Sequence, residues 1–315
     1  MRLRRIALGT AVLATALAAA ACGTNDSAAP TSSADNRTVT VTIDGAGAVT
    51  TDPKLAAKVP ADWRAKGTVT VATNAPYQPF IDFQSEGDTT KFKGLDYDLV
   101  QAASARLGLT PQWSQQPFDG LVPGLQAAKY DMIVGGVTDK KARQEVATFV
   151  DYSASGTGFL LLKDNPLGID DVADLCGRTV GVQKASNQAK NLAEYSKASC
   201  GGKDITVKEY PENPQAVQAL LAGAVQVVAA TKVNLMDTQA QLADKVVVAG
   251  DSANPNGWLA SPNGFGFLKS HPDLAGAYQA ALQSLVDDGT YGKILAHWQQ
   301  QAIGLVTITV DKAID

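Results

Sequence analysis

Three cations crowd one short stretch, "GGVTDKKARQEVATFVDY", residues 135–152. Thr138 or Asp139 is of the type that caps a helix by accepting bonds from its first free N–H groups. Lys140, Lys141 and Arg143 then fall in or beside the first turn. The positive end of a helix dipole disfavours each of them by about 0.3–1 kcal/mol. Such a corner calls for an anion. Arginine meets a carboxylate with a planar two-pronged donor set, and each charge-assisted bond of this kind contributes about 1.5–3 kcal/mol net. Gly135 and Gly136, just upstream, allow a ligand to approach the backbone closely. Arg143 could equally pair with Glu145, Asp139 or Asp151 at the surface, a contact worth little.

The elements around this corner alternate. "TVTVAT" (68–73) is β-branched and alternating, as a strand is. "GLDYDLVQAASARLG" places apolar residues at 95, 99, 102, 103 and 107 before Gly108, an amphipathic helix with its stop. "PFDGLVPGLQAAKYDMIVGG" reads as a short helix capped by Asp119 and then a buried strand over 131–134. The same grammar restarts with the strand "RTVGVQ" and the helix "SNQAKNLAEYSK". Then come the strand "ITVKEY", a helix with Asn213 as N-cap and Pro214 at N1, and the strands "VQVVAA" and "KVVVAG". Two helices close the order, "HPDLAGAYQAALQSLVDDG" and "TYGKILAHWQQQ". Strands alternating with helices predict βαβ units with sheets covered on both faces, in two α/β lobes.

Ligands of such sheets sit beyond the carboxyl ends of strands, beside helix N-termini. Three places qualify: the loop after 68–73 with Asn74 and Tyr77; the loop after 131–134 with Gly135, Gly136, Thr138 and Arg143; and the turn after 179–182 with Ser186, Asn187 and Gln188. Each residue has a plainer role open to it. Ser186 and Asn187 suit a helix cap, Asn74 a turn, and Tyr77 and Phe118 a core.

The N-terminus reads as an export signal: Arg2, Arg4 and Arg5, an apolar run over 6–21, then Cys22. The run is short for a membrane span, which needs about 20 residues. Removing the three arginines leaves 24 of the 27 basic residues against 31 acids, a net of −7. Nothing basic is concentrated enough to expect nucleic acid. Cys176 and Cys200 form an even pair in an exported chain and are expected to be a disulfide, contributing roughly 3 kcal/mol for a loop of that size. Two distant histidines and two cysteines lack ligand spacing, so neither a metal nor a cofactor is expected. No Gly-x-Ser-x-Gly, His-Glu-x-x-His or phosphate loop occurs.

"APYQPFIDF", "GLDYDLVQAASARLG", "FDGLVPGLQAAKYDMIVGGVT", "DLCGRTVGVQ" and "LVDDGTYGKILAHW" resemble, in order and spacing, the family 3 extracellular solute-binding proteins of amino-acid ABC importers. The likeness runs from about Val69 to Trp298. It implies a two-lobed periplasmic-binding-protein-like type II fold, each lobe a mixed, mostly parallel sheet flanked by helices. Two crossings are expected near 156–162 and 254–262. The implied layout is a lipoprotein signal peptide over 1–22, a flexible tether and N-terminal extension over 23–60, and lobe 1 over 61–158 and 258–301. Lobe 2 takes 159–257, and 302–315 is a C-terminal tail. "AAAC" resembles a lipobox, which makes Cys22 the lipid-bearing residue on the outer face of the cytoplasmic membrane.

The resemblance also assigns roles. Arg143, six residues before Phe149, matches the arginine that grips an α-carboxylate. Gly136 and Thr138 match backbone and hydroxyl donors, Ser186 and Asn187 the lobe 2 helix start, and Tyr77 and Phe118 the rings that sandwich the ligand. Asn74, Phe118, Thr231 and the hinge segment "NPNGWLASPN" bear on selectivity. Thr231 stands where the family has an aspartate for the ligand's ammonium, and Gln226 replaces an acid earlier in that strand. A desolvated ammonium without a carboxylate is costly. The ammonium then needs another acid, with Asp82 and Asp151 as candidates, or the ligand lacks a free primary amine. Lys232 could serve a second acid group or face solvent. The implied function is capture of an amino acid or related small carboxylate by hinge closure, in a monomer that serves a membrane permease and ATPase. The alternative is a sensor or a dehydratase-like enzyme on the same fold.

Overall fold

The computed structural model of the protein describes residues 37–249 and 254–314. The stretch expected to be a signal peptide, with Cys22, lies outside the described residues.

The first elements are the strands β1 (Thr40–Ile43) and β2 (Gly47–Thr50), then the short helices α1 (Pro53–Ala56) and α2 (Ala61–Lys66). Ile43 and Val49 are buried in the same core as Leu95 and Leu99, so this part of the expected tether and extension is packed structure. Next come β3 (Thr68–Thr73), β4 (Asp82–Phe83), β5 (Phe92–Lys93), α3 (Leu95–Arg106), β6 (Thr110–Gln115), α4 (Phe118–Gln126), β7 (Met132–Ile133) and α5 (Lys141–Gln144). The long strand β8 (Ala147–Leu162) leads into β9 (Thr179–Gln183), α6 (Asn187–Ser199), β10 (Thr206–Tyr210), α7 (Asn213–Leu221), β11 (Val227–Thr231), α8 (Lys232–Gln241) and β12 (Val246–Val248). The return strand β13 (Trp258–Leu268) is followed by α9 (Pro272–Asp287), α10 (Thr290–His297) and β14 (Gly304–Val310).

One curled sheet runs through both lobes in the order β10-β9-β11-β8-β13-β7-β3-β6, with β12 and β14 also on β8. Within it β3 pairs in parallel with β6 and β7, and β9 with β10 and β11. The antiparallel pair β8 and β13 carries the chain between the lobes: Trp258 lies opposite Thr157 and Gly266 opposite Phe149.

Period-two alternation explains why lobe 2 closes on both sheet faces. Phe159, Leu161, Val180, Val182, Val227 and Ala229 face one apolar cluster, while Leu160, Val228 and Ala230 face the other. Strands covered on both sides read as continuous apolar runs, and these do. Lobe 1 packs α3 against β6 and α9 against β8 and β14, with α10 on both helices, and Leu95, Leu99, Leu282 and Ile294 are fully buried.

Three predicted caps are displaced. Asp119 is not an N-cap: α4 starts after Pro117, and Asp119 lies in its first turn. Helix α7 is capped by Glu212 in a capping box with Gln215, one residue ahead of the expected Asn213. Neither Thr138 nor Asp139 caps α5, whose N-cap is Lys140 with no side-chain bond. At four residues α5 is a single turn. Its dipole is correspondingly small, so the three cations are better explained by what they face than by the helix end.

Candidate functional site

The loops at the carboxyl ends of β3 and β7 meet the N-termini of α6 and α8 across the seam between the lobes. On the lobe 1 side, the loop after β3 is braced by Gln115, which accepts from Ala75 N–H at 3.0 Å and donates to the Ala75 carbonyl at 2.7 Å. This fixes Asn74, which is fully buried, and Tyr77, whose ring stacks on Phe80 at 6.0 Å. Asn74 has no partner on either polar atom of its side chain, and Thr73 Oγ1 has none. Buried amides and hydroxyls are nearly always bonded, so such orphans ask for an explanation.

Gly135 and Gly136 follow β7 at φ +124° and +65°. A Cβ on Gly135 would lie 2.3 Å from Asn74 Oδ1, so close approach as well as conformation requires glycine there. Both N–H groups donate to Asp96 Oδ2, at 2.8 and 2.9 Å. Burial pushes the Asp96 carboxyl up to about 6, against these two bonds, which favour the charged form. The Gly136 N–H is therefore engaged by Asp96.

Arg143 lies in the seam itself. Its Nη1 donates to the Thr138 carbonyl of lobe 1 at 2.7 Å, and its Nη2 to the Ala185 carbonyl of lobe 2 at 3.3 Å. The guanidinium carbon sits 5.5 Å from the centre of the Phe118 ring, a cation–π distance. Asp139 accepts from Gln144 Nε2 at 2.9 and 3.0 Å, and Asp151 accepts from Thr309 Oγ1 at 3.0 Å and Lys312 N at 3.2 Å.

Lobe 2 contributes Ser186, which caps α6 by accepting from Ala189 N–H at 3.2 Å, and Asn187, whose Oδ1 is 3.3 Å from Thr138 Oγ1. Thr138 Oγ1 also lies 3.5 Å from Asn263 Oδ1, so one O–H is shared between two acceptors. A cavity of about 410 Å³ opens at this seam, lined by Lys140, Arg143, Ser186, Asn187, Asn191 and Glu209 among others, within the size range of small-molecule sites. Thr231 is buried at the end of β11, with its N–H and Oγ1 both bonded to the Tyr77 hydroxyl. Lys232 reaches the Asn254 carbonyl at 3.4 Å.

Of the residues expected from sequence, Arg143, Ser186 and Asn187 line this cavity, Thr138 and Phe118 contact Arg143, Tyr77 and Thr231 meet across the seam, and Asn74 and Gly136 lie in the lobe 1 loops beside Gly135 and Asp96. The two candidate acids for an ammonium sit in other contacts. Asp151 faces β14, and Asp82 pairs with Lys93 at 3.6 Å. Sequence reading missed Asn234 on α8, which donates across the seam to the Gln78 carbonyl at 2.6 Å, and gave no role to the lobe-to-lobe pair Lys184–Asp119 at 2.8 Å. Asn263 on β13 is fully buried and donates to Ser155 Oγ at 3.0 Å.

Cys176 and Cys200 form a disulfide, which ties the turn before β9 to the end of α6. Among the described residues no helix is long and apolar enough to cross a membrane. No group of three or more His, Cys, Asp or Glu among them could hold a metal ion.

The model of the bacterial extracellular solute-binding proteins, family 3, matches residues 69–301. The chain is 30% identical over 301 residues to an arginine-binding protein of Corynebacterium glutamicum, covering 94% of this chain and 91% of that one. It is 28% identical over 231 residues to the lysine/arginine/ornithine-binding periplasmic protein of Escherichia coli K12, covering 72% and 85%. Among solved structures, an ancestral arginine-binding protein bound to arginine superimposes with a TM-score of 0.66 at 28% identity, over 74% of this chain and 98% of that one.

Proposed function

The chain belongs to the bacterial extracellular solute-binding proteins, family 3, and on that premise we propose that it captures an amino acid or related small carboxylate by closing its two lobes. In this reading it hands the solute to the permease and ATPase of an ABC importer. It works as a monomer on the outer face of the cytoplasmic membrane, held there by a lipid on Cys22.

The observation that carries the proposal is the position of Arg143. A guanidinium bonded to a carbonyl of each lobe and seated over Phe118 is where a ligand carboxylate would gain two-pronged bonds and also favour the shut form. A ligand shifts an opening equilibrium only by its differential affinity for the two states. Contacts that exist on both sides of the seam supply that difference. The proposed ligand shell adds Thr138, Ser186 and Asn187 as polar contacts, the rings of Tyr77 and Phe118, and the orphaned Asn74 amide; the Gly136 N–H, bound to Asp96, is left out of it. The arginine-binding relatives support an amino-acid ligand. Binding rather than catalysis is favoured by the two histidines: His271 packs against Trp63 and His297 against Trp298, both within lobe 1 and in none of the seam loops.

A thermal-shift screen of the mature chain with amino acids, opines and small carboxylates tests the reading. A ligand at about a hundred times its Kd stabilises by about 2.7 kcal/mol, so at least one compound should raise Tm by several degrees. No response from any of them would refute it.

A further inference from the structure

We infer that Tyr77, Gln78, Thr231 and Asn234 form a clasp that holds the lobes shut without ligand, and that Thr231 serves this closure rather than contact with a ligand's amine. The inference rests on the two-lobe capture mechanism proposed above.

Two consecutive residues of the lobe 1 loop meet the start of α8 in lobe 2. The Tyr77 hydroxyl donates to Thr231 Oγ1 at 2.8 Å and accepts from Thr231 N–H at 3.1 Å. Asn234 Nδ2 donates to the Gln78 carbonyl at 2.6 Å. The Asn234 amide is held for this bond, because its Oδ1 accepts from Asn213 Nδ2 at 2.8 Å. Tyr77, Thr231, Asn234 and Asn213 are exposed by only 6, 4, 2 and 3%. In a shut seam these groups have no access to water, so each bond that is lost leaves a buried donor or acceptor unpaired.

The chemistry of position 231 supports the same conclusion. A carboxylate there could clamp an ammonium; a threonine brings no charge, and here the phenol engages both its N–H and its side-chain oxygen. Every group in the clasp is neutral, so closing it desolvates no ion. The other lobe-to-lobe pair, Lys184–Asp119, is 57% and 35% exposed, and pairs of that kind contribute little. The clasp therefore outweighs that pair in the ligand-independent part of closure, alongside the Arg143–Ala185 and Thr138–Asn187 bonds. A solute then has to gain its affinity at Arg143, on the other side of the seam. Its amine is not required to form a salt bridge at Thr231, which admits N-substituted and amine-free carboxylates.

The test uses the mature chain with its disulfide intact, unfolded and refolded to strip any solute, so no ligand enters the readout. Small-angle scattering and amide hydrogen exchange are compared for wild type, Tyr77→Phe and Thr231→Val. Tyr77→Phe keeps the ring against Phe80 and removes only the hydroxyl. Orphaning a buried N–H shifts an equilibrium by roughly fivefold or more. Tyr77→Phe should therefore enlarge the radius of gyration and speed exchange at the Thr231 amide by at least about fivefold. Thr231→Val, which retains the N–H bond, should give a smaller change in the same direction. Equal scattering and equal Thr231 exchange in wild type and both variants would overturn the clasp. That result would leave the Arg143 carboxylate site untouched, because its own test measures ligand affinity.

Discussion

Replacing Asp151 by asparagine should stabilise the protein above neutral pH and do little in mild acid. Asp151 is fully buried on β8. Burial, then the charge of Asp139, then that of Asp311, push its carboxyl up to about 7, against bonds from Thr309 and Lys312. Asp139 is itself raised by burial. Lys269 lies 3.7 Å from Asp311, and Gly264 of β13 stands opposite Asp151 in the sheet. A folded value above the ordinary one means that the native state binds the extra proton. Its contribution is complete below about pH 4 and is lost as pH rises to about 7. Moving from 3.8 to about 7 corresponds to about 4 kcal/mol, at about 1.4 kcal/mol per pH unit. The asparagine side chain would keep the neutral shape and bonds of the protonated acid. Denaturant titrations at pH 4 and pH 8 should show the variant close to wild type at pH 4 and more stable by a few kcal/mol at pH 8. Taking the difference between the two proteins cancels the other raised carboxyls, Asp96 and Glu212 among them. A difference that stays constant across that range would refute the buried-pair reasoning.

Two further outcomes can be checked in the same preparations. Reducing Cys176–Cys200 opens a loop with a sequence separation of 24 and should cost about 3 kcal/mol; unchanged melting with reductant would contradict this. Thr231→Asp should tighten binding of a free α-amino acid in calorimetry by restoring a charge opposite its ammonium, and no gain would mean that the amine finds its partner elsewhere.

Much of the fold was legible because local period and global burial agree. Leu95, Leu99, Ala102 and Ala103 mark one helix face in the sequence and are buried on α3. The capping serine at 186 and the cysteine pair carry equally local signals. Some local signals were present but unused. Thr40–Ile43 and Gly47–Thr50 flank Asp44-Gly45, a hairpin signature, and do pair. The alternating "LVTITV" near the C-terminus lies within β14. The cap of α7 slipped by one residue because asparagine is the better capping type in isolation, while the reciprocal bonds of Glu212 and Gln215 decide the register. The clasp had no local signal at all. Asn234 and Gln78 are 156 residues apart, and their pairing follows only from how the lobes close. The same holds for Asp151, whose environment is set by a strand more than 150 residues further on.

The central claim is that Arg143 binds an anionic solute at the seam, and calorimetric titration of Arg143→Ala with the solute selected by thermal shift tests it most directly. Loss of charge-assisted bonds worth about 1.5–3 kcal/mol predicts a Kd at least tenfold weaker, with the melting temperature of the ligand-free variant nearly unchanged. An affinity equal to wild type would contradict the account.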